Sequence, residues 1–168
     1  IHCRQCAQIC VTGALETVGT EMTVEEVMQK ILRDRVFYGD DGGVTITGGE
    51  PMVQPEFTLA LAKAAKDAGL SVAVETSGFG HMKDFLALVE SCDQFLFDCK
   101  ASAEDHERLT GVSEGLILEN LFAIGEAGAN VVLRCPVVKG GNLSDTFIEK
   151  IARLACTCPG ISAVELLP

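Results

Sequence analysis

Gly43-Val44-Thr45-Ile46-Thr47-Gly48-Gly49-Glu50-Pro51 is the stretch whose reading decides the fold. Residues 44–47 favour extended backbone and read as a short strand that stops abruptly in Gly-Gly-Glu-Pro. The two glycines permit backbone angles closed to other residues and let main chain approach a ligand closely. Glu50 then presents a carboxylate at the C-terminal end of the strand, and Pro51 cannot continue a sheet. A tight turn after a core strand explains the stretch taken alone. Its meaning depends on what surrounds it.

Outward from that strand, apolar runs alternate with helical patterns. Upstream, Thr23 and Glu26 have capping-box spacing at the start of a helix. Val24, Val27, Met28, Ile31 and Leu32 then share one helical face. Asp40-Asp41-Gly42-Gly43 reads as a loop. Downstream, Pro55 opens a helix that packs through Phe57, Leu61, Ala64, Ala65 and Ala68, and Gly69 ends it. A strand over 70–76 follows, then a helix over 81–91 with Phe85, Leu88 and Val89 inward. The chain continues as a strand over 94–98, a helix over 116–127 and a strand over 131–138. A last helix is capped by Ser144 or Asp145, with Ile148, Ile151, Ala152 and Ala155 on its inner side. A strand over 162–167 closes the series.

Five short, continuously apolar strands separated by helices predict an α/β fold with a parallel sheet covered by helices. A closed eight-stranded barrel needs about 250 residues, more than the 168 present. The choice is therefore between a partial (β/α) barrel and an open doubly wound sheet.

Composition narrows the function. The 24 acidic residues outnumber the 13 basic ones, for a net charge of −11. With no Lys/Arg cluster besides, nucleic acid and anionic membrane surfaces are not expected partners. No apolar run reaches the roughly 20 residues of a membrane span. Eight cysteines is a high count. The long helical and strand patterns argue against a small disulfide scaffold, and a reduced, cytoplasmic setting is expected. Cys92, Cys99 and Cys135 lie in apolar runs and read as small core residues. The Cys156-x-Cys158 spacing suits neither a zinc knuckle nor a redox pair.

In parallel α/β sheets, ligands bind at the C-terminal ends of the strands. The ends here carry Gly48, Gly49 and Glu50, then Glu75, Thr76 and Ser77, then Asp98 and Lys100, then Arg134. Carboxylates, hydroxyls and two cations converging on one mouth suit a zwitterionic ligand with an amine and a carboxylate. Dinucleotide and Walker phosphate signatures are missing, as are a nucleophile elbow and a zinc-protease helix motif. His2, His81 and His106 are too scattered to form a metal site.

The second informative element is Cys3-x-x-Cys6-x-x-x-Cys10. It matches the last three cysteines of the bacterial ferredoxin run, with Val11 in place of the proline. Close spacing lets several thiolates wrap one small cluster. A zinc site that uses the three thiolates and His2 is the alternative. Iron with acid-labile sulfide would separate the two.

Taken together, these residues resemble a known family. Gly48-Gly49-Glu50-Pro51 after Val-Thr-Ile-Thr resembles the S-adenosylmethionine motif of radical S-adenosylmethionine enzymes. The order of Glu75-Thr76-Ser77-Gly78, Asp98-x-Lys100, Arg134-x-Pro136-Val137-Val138 and Glu165-Leu166-Leu167-Pro168 is similar to that of glycyl radical enzyme activating enzymes. That family includes the pyruvate formate-lyase activating enzymes. Thr110-Gly111-Val112 and Ile117-Leu118-x-Asn120-Leu121 add to the likeness. The cysteine segment resembles the ferredoxin-like insert of many activases.

The resemblance implies a partial (β/α) barrel over 21–168, preceded at 1–20 by the second half of that insert. It implies that Gly48, Gly49 and Glu50 hold the amino end of S-adenosylmethionine. Glu75, Thr76, Asp98, Lys100 and Arg134 would line the rest of the pocket, with Thr76 and Asp98 beside a monovalent cation. Glu75 stands where the family often has Asp. Cys3, Cys6 and Cys10 would ligate auxiliary 4Fe–4S clusters, with Cys10 serving a different cluster from the other two. The implied reaction is reductive cleavage of S-adenosylmethionine to a 5′-deoxyadenosyl radical. That radical abstracts hydrogen from a glycine of a partner enzyme. The partner would be of the pyruvate formate-lyase, diol dehydratase or choline lyase type. A flavodoxin- or ferredoxin-like protein would donate electrons.

Two departures accompany the likeness. The family's C-x3-C-x2-C loop for the catalytic cluster has no counterpart here, and the aromatic residue and histidine that follow the final Leu-Pro are not reached. The expectation is an internal fragment, truncated at both ends and inactive alone. Another radical S-adenosylmethionine enzyme and a non-catalytic iron–sulfur electron-transfer module stay open as alternatives.

Overall fold

The computed structural model describes residues 5–39 and 42–168. His2, Cys3 and the loop residues Asp40 and Asp41 lie outside the described residues. The strands among the described residues are β1 (Gly43–Ile46), β2 (Ser71–Thr76), β3 (Gln94–Asp98), β4 (Val131–Pro136) and β5 (Ile161–Leu167). They pair in parallel, in the order β1-β2-β3-β4-β5. A doubly wound sheet reverses its order partway across. Strictly sequential order does not reverse, so crossovers of one hand put the helices on one side, as in a barrel.

The helices are α1 (Gln5–Gln8), α2 (Val24–Arg33), α3 (Pro55–Asp67), α4 (Met82–Leu88), α5 (Ala103–Thr110), α6 (Gly115–Glu126) and α7 (Asp145–Thr157). The capping box expected at Thr23 and Glu26 is formed. Gly69 follows α3 at a φ of 74°, a left-handed turn that glycine adopts without strain. The sheet's helix-facing side is apolar: Val72, Val74, Phe95, Phe97, Val131, Leu133 and Cys135 are buried with Leu61, Ala65, Phe85, Leu88, Leu121, Ile124 and Phe147 in one cluster. Cys92 and Cys99 belong to that core, as expected.

Besides the short α1, which the cysteine segment did not announce, α5 and α7 differ from the sequence reading. α5 was not expected, because Ala103–Thr110 is mostly polar and buries only His106. It starts because the Ser102 hydroxyl accepts from the Asp105 N–H at 3.3 Å. α7 has the expected Ser144 cap, but its inner face is Phe147, Lys150, Ile151 and Leu154 rather than the Ile148, Ile151, Ala152 and Ala155 stripe. Ile148 is 41% exposed, and Ala152 and Ala155 face solvent. Lys150 turns inward to polar partners, the Ala101 carbonyl and the Glu114 carboxylate. That rotation carries Phe147 and Leu154 into the core.

Asn120 on α6 fixes the loop that leaves β2. It is fully buried, and its amide donates to the carbonyls of Gly78 and Gly80 at 2.9 and 3.0 Å. Gly78 has φ 78°, and an added Cβ would fall 2.2 Å from the Phe97 ring, so only glycine fits under that loop. Asn120→Ala removes a donor from two enclosed carbonyls. It should cost about 2–4 kcal/mol in chemical denaturation, and a variant as stable as the parent would contradict the tethering role.

Candidate functional site

Side chains alternate across a strand. The residues between the buried ones therefore point to the face away from the helices. Those nearest the C-terminal ends are Thr47, Glu75, Ser77, Asp98, Lys100, Arg134 and Glu165. Asp98 pairs in register with Arg134, and Arg134 with Glu165. The Arg134 guanidinium crosses β3 to reach the Glu75 carboxylate at 2.5 Å. Glu75 accepts a second hydrogen bond from the Thr47 hydroxyl at 2.9 Å. Glu165 lies 3.5 Å from Arg134 Nε on the other side. That distance gives charge attraction, but the buried Nε–H has no hydrogen-bond partner among the described residues. Lys100 pairs with Asp98 at 2.8 Å. One polar row thus runs over β1, β2, β4 and β5, with the Asp98–Lys100 pair at its rim.

Glu50 is used differently. Its carboxylate accepts from the Thr76 hydroxyl at 2.7 Å and the Met52 N–H at 3.2 Å through one oxygen. The other oxygen accepts from the Ser77 N–H and hydroxyl at 2.8 and 2.6 Å. Glu50 is thereby the clamp between the exits of β1 and β2. Thr76 faces the helices, is buried, and takes the Gly78 N–H at 3.0 Å. Gly48 has φ 142°, and a methyl added at Gly48 or Gly49 would meet nothing within 4 Å. The described residues do not fill the space beside that turn.

The expected site residues therefore fall into two groups. Glu75, Asp98, Lys100 and Arg134 share the polar face. Gly48, Gly49, Glu50 and Thr76 form the turn above it. Thr47, Ser77 and Glu165 join them without having been assigned a role. Alternation along each strand is a signal from which Thr47 and Glu165 could have been placed on this face. Between Asp98 and Lys100, Cys99 faces the core beside Cys135. The hydrogen bond from Cys135 holds the Cys99 thiol below its usual range, while that same bond and burial hold Cys135 above it.

In the cysteine segment, Cys6 is exposed on α1, and Cys10 follows within a turn. The Cys10 sulfur contacts the Thr12 hydroxyl at 3.6 Å and accepts from the Leu15 N–H at 3.3 Å. These bonds hold the Cys10 thiol below its ordinary value. N–H donation to sulfur favours a thiolate ligand. Cys3 lies outside the described residues, and among the described residues no group of three metal-ligating side chains is assembled.

Residues 1–155 match the family model of the Radical SAM superfamily, and the chain belongs to that superfamily. It is 37% identical over 162 residues to the trans-4-hydroxy-L-proline dehydratase activating enzyme of Clostridioides difficile, covering 94% of this chain and 54% of that protein. It is 40% identical over 153 residues to the isethionate sulfite-lyase activating enzyme of Oleidesulfovibrio alaskensis, covering 89% and 50%. A solved domain of pyruvate-formate lyase-activating enzyme from Bacteroides vulgatus superposes with a TM-score of 0.69 at 28% identity, covering 75% of this chain and 80% of that one. The sequential parallel sheet is therefore a partial barrel of the kind found in that superfamily. The chain spans about half the length of the curated relatives it matches. No helix among the described residues is long and apolar enough to cross a membrane.

The Glu50 clamp gives a test of its own. In Glu50→Gln, whichever oxygen becomes NH2 confronts a backbone N–H, from Met52 or from Ser77, that can only donate. Stability should fall by about 1–3 kcal/mol in a denaturant titration. A variant matching the parent would show that the carboxylate does not hold the two exits together.

Proposed function

We propose that the intact protein activates a glycyl radical enzyme, and that the polar face of this sheet holds the amino-acid end of S-adenosylmethionine. The observation that carries the reading is the row itself. Glu75, Asp98 and Glu165 alternate with Arg134 and Lys100 on one side of the strands. A molecule with an ammonium, a sulfonium and a carboxylate needs both signs at short range. The unpartnered Nε–H of Arg134 can donate to a carboxylate, and Lys100 supplies a second cation at the rim. The open space beside Gly48 and Gly49 admits a ligand against bare backbone.

Each residue has a task in this reading. Arg134 and Lys100 hold the methionyl carboxylate. Glu75 and Asp98 balance the cationic groups, and Asp98 is the anionic ligand available to a monovalent cation. Thr76 acts through Glu50, because its hydroxyl is committed to that carboxylate and to the Gly78 N–H. Glu50, clamped by Thr76, Ser77 and Met52, keeps the glycine turn open over the row. Cys6 and Cys10, with Cys3, supply thiolates for auxiliary 4Fe–4S clusters. A catalytic 4Fe–4S cluster, for which this sequence carries no C-x3-C-x2-C ligand spacing, would supply the electron that cleaves S-adenosylmethionine, and the 5′-deoxyadenosyl group so formed would take a hydrogen atom from a glycine of the partner. Hydrogen-atom abstraction needs no protein base, and none is assigned. The partner is a glycyl radical enzyme, and a flavodoxin- or ferredoxin-like protein is the electron donor.

Arg134→Gln in the intact protein tests the pocket. It should raise the Kd for S-adenosylmethionine by about tenfold or more, read by anaerobic equilibrium dialysis, with circular dichroism as the control for folding. A folded variant that binds as the parent does would contradict the assignment.

A further inference from the structure

Two buried polar side chains outside the pocket grip the main chain that carries it. Asn142, in the turn before α7, is 7% exposed. Its amide nitrogen donates to the carbonyls of Lys100 and Pro136, each at 2.6 Å, and its oxygen accepts from the Val138 N–H at 2.8 Å. Lys150, on α7, is 5% exposed. Its ammonium donates to the Ala101 carbonyl at 2.9 Å and pairs with the Glu114 carboxylate at the start of α6. Two consecutive carbonyls just past β3 are thus held by one turn and its helix. Asn142 ties that same segment to the exit of β4.

Packing alone does not call for these groups. A buried ion pair is costly to desolvate, and apolar side chains in its place commonly leave stability unchanged or raise it. Position 150 lies in a stripe with Phe147, Ile151 and Leu154, where an apolar residue would pack. What the pair adds is direction. Its donor is aimed at a carbonyl beyond the last ladder bond between the two strands, which runs from Cys99 N–H to the Arg134 carbonyl. Lys100 projects from the held segment. Its long side chain can place its charge reproducibly only if its backbone is fixed.

We propose that Asn142 and Lys150 are positioning residues for recognition of the methionyl carboxylate. They fix the backbone under Lys100 and couple it to the strand that carries Arg134. This rests on the reading of Asp98, Lys100 and Arg134 as holders of S-adenosylmethionine. The discrimination it affects is between ligands with and without the carboxylate.

The test uses the intact protein and two ligands, S-adenosylmethionine and its decarboxylated analogue. The main variant is the double substitution Lys150→Met with Glu114→Gln, which leaves no unpaired charge. It should stay folded, with only the modest loss expected of leaving the Ala101 carbonyl without its donor, and bind S-adenosylmethionine about tenfold more weakly. Its affinity for the decarboxylated analogue should not change, so the ratio between the ligands narrows. Lys150→Arg, which keeps charge and donors, should restore most of the ratio, and Asn142→Ala should narrow it. An unchanged ratio in the folded double variant would overturn the proposal. So would equal weakening for both ligands, or loss of the fold, since either makes the pair a general stability element. If Arg134→Gln also binds normally, the pocket reading itself has failed. If Arg134→Gln loses binding while the double variant keeps its ratio, only the positioning role has failed.

Discussion

Successive side chains of a strand point to opposite faces, and in this sheet that constraint separates a core from a site. With all strands parallel and in sequential order, the helices take one face and demand apolar residues there. Val72 and Val74, Phe95 and Phe97, and Val131 and Leu133 meet that demand. The residues between them are released from it. Glu75, Asp98 and Arg134 can be charged without cost to the core, and they stand together because their strands are in register. A one-residue slip in β3 or β4 would put carboxylate or guanidinium against the phenylalanines.

The polar face is organised before any ligand arrives. Arg134 is held between Glu75 and Glu165, and its side chain is 22% exposed, so its charge is partly withdrawn from water. A pair in that state is weakly stabilising at best, since desolvation offsets much of the attraction. Its value lies in fixing the guanidinium. The Glu50 clamp does the same for the turn above the row by using all of its accepting capacity on the adjacent loop. Little ordering then remains to be done on binding, which is the physical meaning of preorganisation.

Much of this was legible in the sequence. β3 falls at 94–98 as its apolar run predicts, the Thr23 cap forms as its spacing predicts, and the strand ends bring Glu75, Asp98, Lys100 and Arg134 together. The superfamily read from Gly48–Pro51 is the one to which the chain belongs, and the curated relatives it resembles are activating enzymes. Other features had no local signal. α5 has too few apolar residues to produce a helical period. Lys150 looks like a surface lysine until its partners, Ala101 and Glu114, are seen to come from distant segments. Asn120 and Asn142 likewise act through carbonyls about 40 residues away in sequence. Glu165 was visible as one position in an alternating strand, but its pairing with Arg134 depends on register. The use of Glu50 as a clamp depends on the loop geometry after β2, which residue types alone do not specify.

The most direct measurement is a crystal structure of the intact protein grown anaerobically with S-adenosylmethionine. The account predicts the methionyl carboxylate within hydrogen-bond reach of Arg134 and Lys100. It predicts the amino end beside Gly48 and Gly49, with Glu50 still bonded to Thr76 and Ser77. A methionyl group bound elsewhere, with the Glu75–Arg134 and Asp98–Lys100 pairs unchanged and facing water, would contradict it.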